Sequence, residues 1–333
     1  MLTLNFKGLF LWLALMGTAV HCLSNEPSDQ GPRIINIMSA FWAFESAART
    51  SMPQADRSAL FRRFVLDPYR DLYGLAEFRN DIDAEAIKAY LAKVQPYLPE
   101  MRKLSEQVER EVGPAETRFI GAFPGFKAEV TIVYMPSFLH FDGKTTHLKN
   151  GKLAILFGVD GIARFHKNNA DLAVLFSHEL FHVYHEQINP EVFDQQVLYA
   201  NLWTEGLATY VSACLNPGAA DGVVLLDTRL ADINATLQAE LARQFLKKFN
   251  SIDIHDHEKF FDAGYRGDLP PRSGYLLGYR VCRALRRRFT LNALVHLGGV
   301  ELKKEIHDAL AELAASGTST TTSISLRSPR ALR

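Results

Sequence analysis

Apolar positions along the chain change period several times, and each change marks a predicted element. Between residues 33 and 112 they recur at three and four, as in IINIMSAFWAF and AIKAYLAKVQPYLPEMRKLSEQVEREV, predicting a mostly helical region closed by Gly113 and Pro114. The spacing then becomes that of strands. AEVTIVYMPS (128–137) and KLAILFGVD (152–160) are short β-rich runs, separated by a loop that holds Phe141, Asp142 and Gly143. The helical period returns at Asn168, with Asn168 or Asn169 as N-cap, Asp171 in the first turn and Pro190 as the far limit. Further helices are predicted over 193–215, ended by Asn216, Pro217 and Gly218, over 228–250, over 274–289, and on to Ser316. IDIHDHEKFFDAGYRGDLPPRSG reads as a loop, and the tail GTSTTTSISLRSPRALR (317–333), which lacks apolar periodicity, as disordered. The fold class that follows is α+β: a helical N-terminal region (25–115), a small β-sheet with two long helices (116–215), and a mostly helical C-terminal region (216–316).

With 47% hydrophobic residues in 333, the chain has enough apolar side chains for one large domain or two closely joined ones. Lys plus Arg (37) balance Asp plus Glu (37), so no net field gathers phosphates and no nucleic-acid partner is expected. The dense basic run, Arg283 with Arg286, Arg287 and Arg288, reads as a solvated helix face. At the N-terminus a single lysine, an apolar run from Gly8 to Val20 and then polar SNEPSDQGP have the layout of a secretory signal peptide over 1–24, with Ala19 or Ser24 ending a small-x-small pattern. That run is shorter than the roughly 20 apolar residues of a membrane span. The expected location is therefore exported, periplasmic or secreted, with an uncleaved anchor or a lipid anchor through Cys22 as alternatives. After removal of the leader two cysteines remain, Cys214 and Cys282, which either pair in an oxidising compartment or stay as separate buried thiols.

One stretch carries dense chemistry. HELFHVYHEQ (178–187) contains His178-Glu179-Leu180-Phe181-His182, an HExxH pattern inside a predicted helix. Residues four apart lie one turn above each other, so both imidazoles can reach one cation at about 2 Å, while Glu179 is turned by roughly 100° and stands beside it. Leu172, Leu175, Phe176 and Val183 give this helix an apolar flank, as expected of a helix driven through a core with its polar groups facing a cleft. A catalytic zinc site needs a third protein ligand and a position for water. A glycine three residues after His182 and a histidine three beyond that would supply the metzincin arrangement, but those positions are His185 and Ile188. The other common arrangement is a glutamate on the following helix, and NLWTEGLATYVSACL (201–215) offers Glu205, flanked by Gly206 and Ala208, whose small size suits a close approach to the HExxH helix.

HELFH followed by WTEGLATY resembles the gluzincin metallopeptidases, the thermolysin-like group, and especially exported bacterial members with a W-x-E-G-L-A segment and a GYxxGY-type segment near the C-terminus. The resemblance covers residues 33–315 and is most specific over 150–215 and 272–281. It implies thermolysin-like active-site helices, one Zn2+ ion held by His178, His182 and Glu205, Glu179 as general base, and a peptide or protein substrate. It also implies that the strand ending in ILFGVDGIA is the edge strand that holds substrate backbone. Two departures concern the surroundings of the metal: the position four after the glutamate, an aspartate in many thermolysin-like enzymes, is Thr209, and the separation of His182 from Glu205 is slightly long.

In that family a downstream tyrosine or histidine often stabilises the oxyanion. Tyr275 and Tyr279, four apart in SGYLLGYRV, are the candidates; Tyr275 fits the family segment better, and the alternative is that both are amphipathic core residues. His185 reads as a supporting or surface histidine, His255 and His257 as residues of a polar loop, Gly158 as a bulge or a point where substrate backbone comes close, and Asn234-Ala235-Thr236 as a glycosylation pattern within a helix. The function expected is an exported zinc-dependent metallopeptidase. Two alternatives stay open: a non-catalytic binding or scaffold protein with a retained zinc site, and a metal-dependent amidase acting on a non-protein substrate.

Overall fold

The computed structural model describes residues 33–49, 54–75, 78, 82–126 and 130–316, so the leader (1–24) and the tail (317–333) lie outside the described residues. In chain order the elements are β1 (Arg33–Asn36), α1 (Met38–Ala48), α2 (Gln54–Phe61), α3 (Arg70–Tyr73), α4 (Ala84–Val94), α5 (Leu98–Ala122), β2 (Val130–Met135), β3 (Gly143–His147), β4 (Leu153–Gly158) and α6 (Val159–His166). Then follow α7 (Leu172–Ile188), α8 (Pro190–Phe193), α9 (Leu198–Leu215), α10 (Asp221–Val224), α11 (Thr228–Ala231), α12 (Ala235–Lys247), α13 (Ile254–Phe261), α14 (Ser273–Leu285), α15 (Leu291–Val295) and α16 (Gly299–Ser316). The described residues have an α+β fold, with one four-stranded sheet among many helices. No helix among them is long and apolar enough to cross a membrane.

The sheet runs β1-β2-β4-β3, with β1, β2 and β4 parallel and β3 antiparallel to β4. Every residue of β2 is buried, as a central strand covered on both faces requires. β3 (GKTTH) is polar and half exposed, and it forms one edge. Two strands depart from the sequence expectation. Arg33–Asn36 is strand rather than the start of a helix, because parallel pairing with Thr131–Tyr134 overrides the local period of IINIM. The polar segment read as a loop contains β3, since an edge strand with an exposed face does not need alternating apolar residues.

Gly113 and Pro114 do not end the first helical region. α5 continues through both to Ala122, because Val108, Val112, Ala115 and Phe119 form one buried stripe across them. That burial outweighs the roughly 3 kcal/mol that a helix-interior proline costs. α7 begins at Leu172 and is capped by Asp171, whose Oδ1 accepts from the amides of Ala173 (2.9 Å) and Val174 (3.1 Å), so Asn168 and Asn169 are not the cap. The helix predicted over 228–250 is broken at Asn234, which caps α12 by accepting from Leu237 N at 2.9 Å. His255 and His257 lie on α13 rather than in a loop, with Asp253 as the N-cap. The basic run is partly tied down: Arg286 donates to the Tyr210 hydroxyl at 3.4 Å and Arg288 pairs with Glu305. Among the described residues Cys214, exposed, and Cys282, buried, are free thiols.

The principal packing runs from α5 through α7 and α9 to α14. Gly206 on α9 and Gly278 on α14 make the closest crossing: a Cβ on Gly206 would lie 2.4 Å from the Gly278 Cα, and one on Gly278 would lie 2.4 Å from the Leu202 carbonyl oxygen. Gly206, beside Glu205, therefore admits α14. This crossing brings the first turn of α14 to the same cleft as Glu205.

Candidate metal centre

α7 and α9 lie side by side and project three side chains to one point. His178 Nε2 is 3.2 Å from Glu205 Oε2, His182 Nε2 is 3.4 Å from the same oxygen, and the two nitrogens are 3.1 Å apart. Among the described residues this is the one group of three or more His, Cys, Asp or Glu whose ligand atoms converge in this way. A tetrahedral zinc with arms of about 2.0–2.1 Å has ligand-to-ligand edges of about 3.3 Å. The two-nitrogen, one-oxygen set therefore has the size and the chemistry for zinc.

Electrostatics follow from the shared pocket. Burial opposes ionisation of Glu205, yet His182 and His178 hold its carboxyl well below the ordinary range. Burial lowers His178, and Glu205 raises His182 against the same burial. Glu179 points elsewhere, into the gap between α7 and β3. Burial pushes its carboxyl up to about 7, with Glu205 and Asp142 adding to the effect against the pull of His182. A carboxylate that titrates near neutrality suits a general base. The gap exists because residue 143 is glycine: a Cβ there would lie 2.6 Å from Glu179 Oε1.

These groups line a cavity of about 470 Å³. β3 forms one side of it and α14 another, with Leu175, Phe193 and Leu226 as apolar walls. The edge strand beside the candidate metal ligands is thus β3, and not the strand of ILFGVDGIA, since β4 lies between β2 and β3 and residues 159–166 are helical. Gly158 serves packing: a Cβ on it would lie 2.2 Å from the Phe141 carbonyl oxygen.

The other sequence candidates separate by position. The Tyr275 ring lies over His178, with centroids 6.0 Å apart and planes at 24°, and it lines the cavity. Tyr279 is buried in a small apolar cluster with Val224, Leu225, Leu230 and Leu276. Thr209 turns its hydroxyl back to the Glu205 carbonyl at 2.7 Å, and His178 Nδ1 is buried without a partner. His185 is neither a surface residue nor a partner of the ligands; it is fully buried between Phe181 and Phe193, with both ring nitrogens unpaired. His257 reaches the cavity indirectly, 3.0 Å from Asn201.

Two residues at the cavity gave no sequence signal of their own. Asp142 and Arg272 are ion-paired at 2.8 Å across 130 positions of chain. Arg272 is buried, and it is one of five non-glycine residues among those described with positive φ, at 58°. Only the occurrence of Asp-Gly at 142–143 in the β2–β3 connection hinted at a special turn.

Comparison with known families bears on this site directly. A family model described as "Putative zinc dependent peptidase (DUF5700)" matches residues 44–298. The chain belongs to this family. The match spans every residue of the site, from Asp142 to Tyr275, and membership in the family supports zinc dependence and peptidase chemistry as general properties. No curated protein and no solved structure matches the chain.

Proposed function

We propose that the chain is an exported zinc metallopeptidase of gluzincin type, with His178, His182 and Glu205 as ligands of one zinc ion and Glu179 as general base. The observation that carries this reading is the convergence of two imidazole nitrogens and one carboxylate oxygen at 3.1–3.4 Å, in a cavity that a second carboxylate, Glu179, also lines. Three protein ligands with no fourth in the group favour catalysis over a purely structural metal, which normally takes four. Zinc held there supplies a Lewis acid for the scissile carbonyl and lowers the pKa of water.

The chain's own groups do the rest. Glu179 takes the proton of the attacking water and delivers it to the leaving amine, a task its raised pKa suits. The Tyr275 hydroxyl donates to the carbonyl oxygen as negative charge develops there; burial holds its pKa well above the ordinary value, so it remains a donor throughout the neutral range. The polar edge of β3 offers backbone groups to an extended peptide. Export rests on the leader-like composition of residues 1–24.

The test is metal analysis of the wild-type protein beside Glu179→Gln, coupled to digestion of an unbiased peptide library. The expected result is one zinc per chain in both proteins and cleavage by the wild type alone. A folded protein that takes up no zinc, or equal cleavage by Glu179→Gln, would overturn the reading. A zinc-bound wild type that spares every peptide would favour the amidase or scaffold alternative.

A further inference from the structure

On the rim of the same cleft lies a buried charge network that the proposed chemistry does not use. The Asp142 carboxylate is its centre. Oδ2 accepts from Arg272 Nη2 at 2.8 Å and meets His166 Nε2 at 2.7 Å, while Oδ1 accepts from the Gly143 amide at 2.9 Å. Arg272 Nη1 also donates to the Leu226 carbonyl at 3.0 Å. One carboxylate thus joins the end of α6, the start of α14 and the first residue of β3.

Local preference does not produce this arrangement. Arg272 and Leu226 both have left-handed backbones, at φ 58° and 57°, which cost a non-glycine residue about 1–2 kcal/mol each. Phe138 and Leu139, just before Asp142, are left-handed as well, and the Asp160 carboxylate holds that turn by accepting from the amides of Ser137 (2.6 Å) and Leu139 (2.7 Å). Burial would raise the Asp142 carboxyl, yet the Arg272 guanidinium and His166 hold it far below the ordinary range. The network is therefore charged, paired and anchored at both ends.

We infer that Asp142 and Arg272 are a positioning pair that sets Tyr275 and Glu179 at a fixed separation across the cleft. The effect on turnover rests on the peptidase reading above; the effect on position does not. Arg272 stands one turn before Tyr275, with its guanidinium 5.7 Å from the ring centre, so fixing one fixes the first turn that carries the other. On the opposite side Gly143 is held by Asp142 Oδ1 and sets the clearance beside Glu179. A planar guanidinium fork with two bound acceptors fixes orientation as well as distance, which an apolar contact between the same elements would not.

The experiment uses the zinc-loaded full chain with 3-fluorotyrosine at position 275, in wild type, Asp142→Asn, Arg272→Gln, Arg272→Lys and the Asp142→Asn/Arg272→Gln double variant. Zinc content, the 19F resonance, and kcat and KM on a peptide from the library digest are measured. Expected are unchanged zinc, a shifted or broadened resonance in Asp142→Asn and Arg272→Gln, and kcat lower by about 10- to 100-fold, as for a displaced reacting group, with KM held within about twofold. The double variant should be no worse than either single one, because the two residues act as one unit. Arg272→Lys, which keeps the charge and loses the fork, should recover part of kcat. An unchanged resonance in Asp142→Asn overturns the inference, and so does a raised KM at constant kcat, which would make the pair a substrate contact. If the wild type cleaves no peptide the peptidase reading fails, and the resonance, which needs no turnover, still decides the positioning. If Asp142→Asn does not fold, Arg272→Lys carries the same readouts.

Discussion

The floor of the cleft and its rim are both polar and both face the same space, but they are assembled over very different lengths of chain. On the floor, His178, Glu179 and His182 share just over one turn of α7, and Glu205 joins them from the next long helix, 27 positions from His178. On the rim, Asp142 and Arg272 meet across 130 positions, and each depends on residues in left-handed conformations to get there. The floor is fixed by helix geometry and one helix–helix contact. The rim exists only once the sheet, the β2–β3 connection and α14 are all in place. On the proposed reading the two divide the labour, with metal binding on the floor and the placement of reacting groups on the rim.

The largest effect that separates the two is expected at the floor. Glu205→Ala removes a proposed ligand and leaves two imidazoles, so zinc affinity should fall by more than the roughly 100-fold upper end seen when only an outer hydrogen-bond partner is lost, and hydrolysis should disappear with it. Competition with a chromophoric chelator measures this. If Asp142→Asn weakened zinc to the same degree, the distinction between floor and rim would be lost.

Next in size is the joint between them. Gly206→Ala places a methyl group 2.4 Å from the Gly278 Cα, a backbone atom that yields only if α14 moves as a whole. Overpacking of this kind costs about 1–3 kcal/mol, and a backbone-to-backbone contact belongs at the upper end. Chemical denaturation should show the loss in Gly206→Ala and almost none in Gly218→Ala, where a Cβ meets nothing within 4 Å. Equal stability of the two variants would mean that the crossing is looser than it looks.

This difference in chain length also explains what was legible in the sequence. His178 and His182 share a face because four residues make about one turn, a rule that needs no knowledge of the fold. Glu205 stood out because a glutamate beside glycine in a helix calls for a packing reason; the structure supplies one, although the close neighbour is α14 rather than α7. Arg272 had no such marker. It follows two prolines in a stretch read as loop, and its importance comes from a carboxylate 130 positions away along the chain. The same limit explains β1, a four-residue strand whose period is ambiguous until its partner is known, and β3, whose polar residues are compatible with a strand only at a sheet edge. α13 was hidden by the polar run IHDHEK, although Asp253 caps it and Phe260 buries it.

A third prediction concerns the back of the floor, where His185 lies one turn beyond His182. Burial, aided by His182 and His296, pushes its pKa down to about 3, against about 6.5 in an unfolded chain. The folded ring refuses a proton that the unfolded ring accepts, so this contribution to stability is fully present above about pH 6.5 and falls by about 1.4 kcal/mol per unit down to about pH 3. Between pH 8 and pH 5 the loss is about 2 kcal/mol. His185→Phe keeps an aromatic ring between Phe181 and Phe193 and removes the titration, so its unfolding free energy should drop by about 2 kcal/mol less than that of the wild type over the same interval. Parallel pH profiles for the two proteins would show that the ring is not the group responsible.

The smallest expected effect probes the seam where floor and rim touch. Gly143 belongs to the rim through the hydrogen bond from its amide to Asp142, and it borders the floor through the space it leaves for Glu179. In Gly143→Ala the new methyl would lie 2.6 Å from Oε1 and 2.9 Å from Cδ of Glu179, so one of the two must move. The glutamate is the free end of a flexible side chain, whereas the β3 backbone is paired with β4 from Gly143 to His147, so the carboxylate moves. A shift of a few tenths of an ångström should leave zinc binding and folding untouched and take the proposed base off line with its proton. The expected outcome is a kcat about tenfold lower, equivalent to about 1.4 kcal/mol, with zinc content and unfolding midpoint as in the wild type. A drop in zinc content would mean that Glu179 and the ligands move together, and that the seam between floor and rim lies elsewhere.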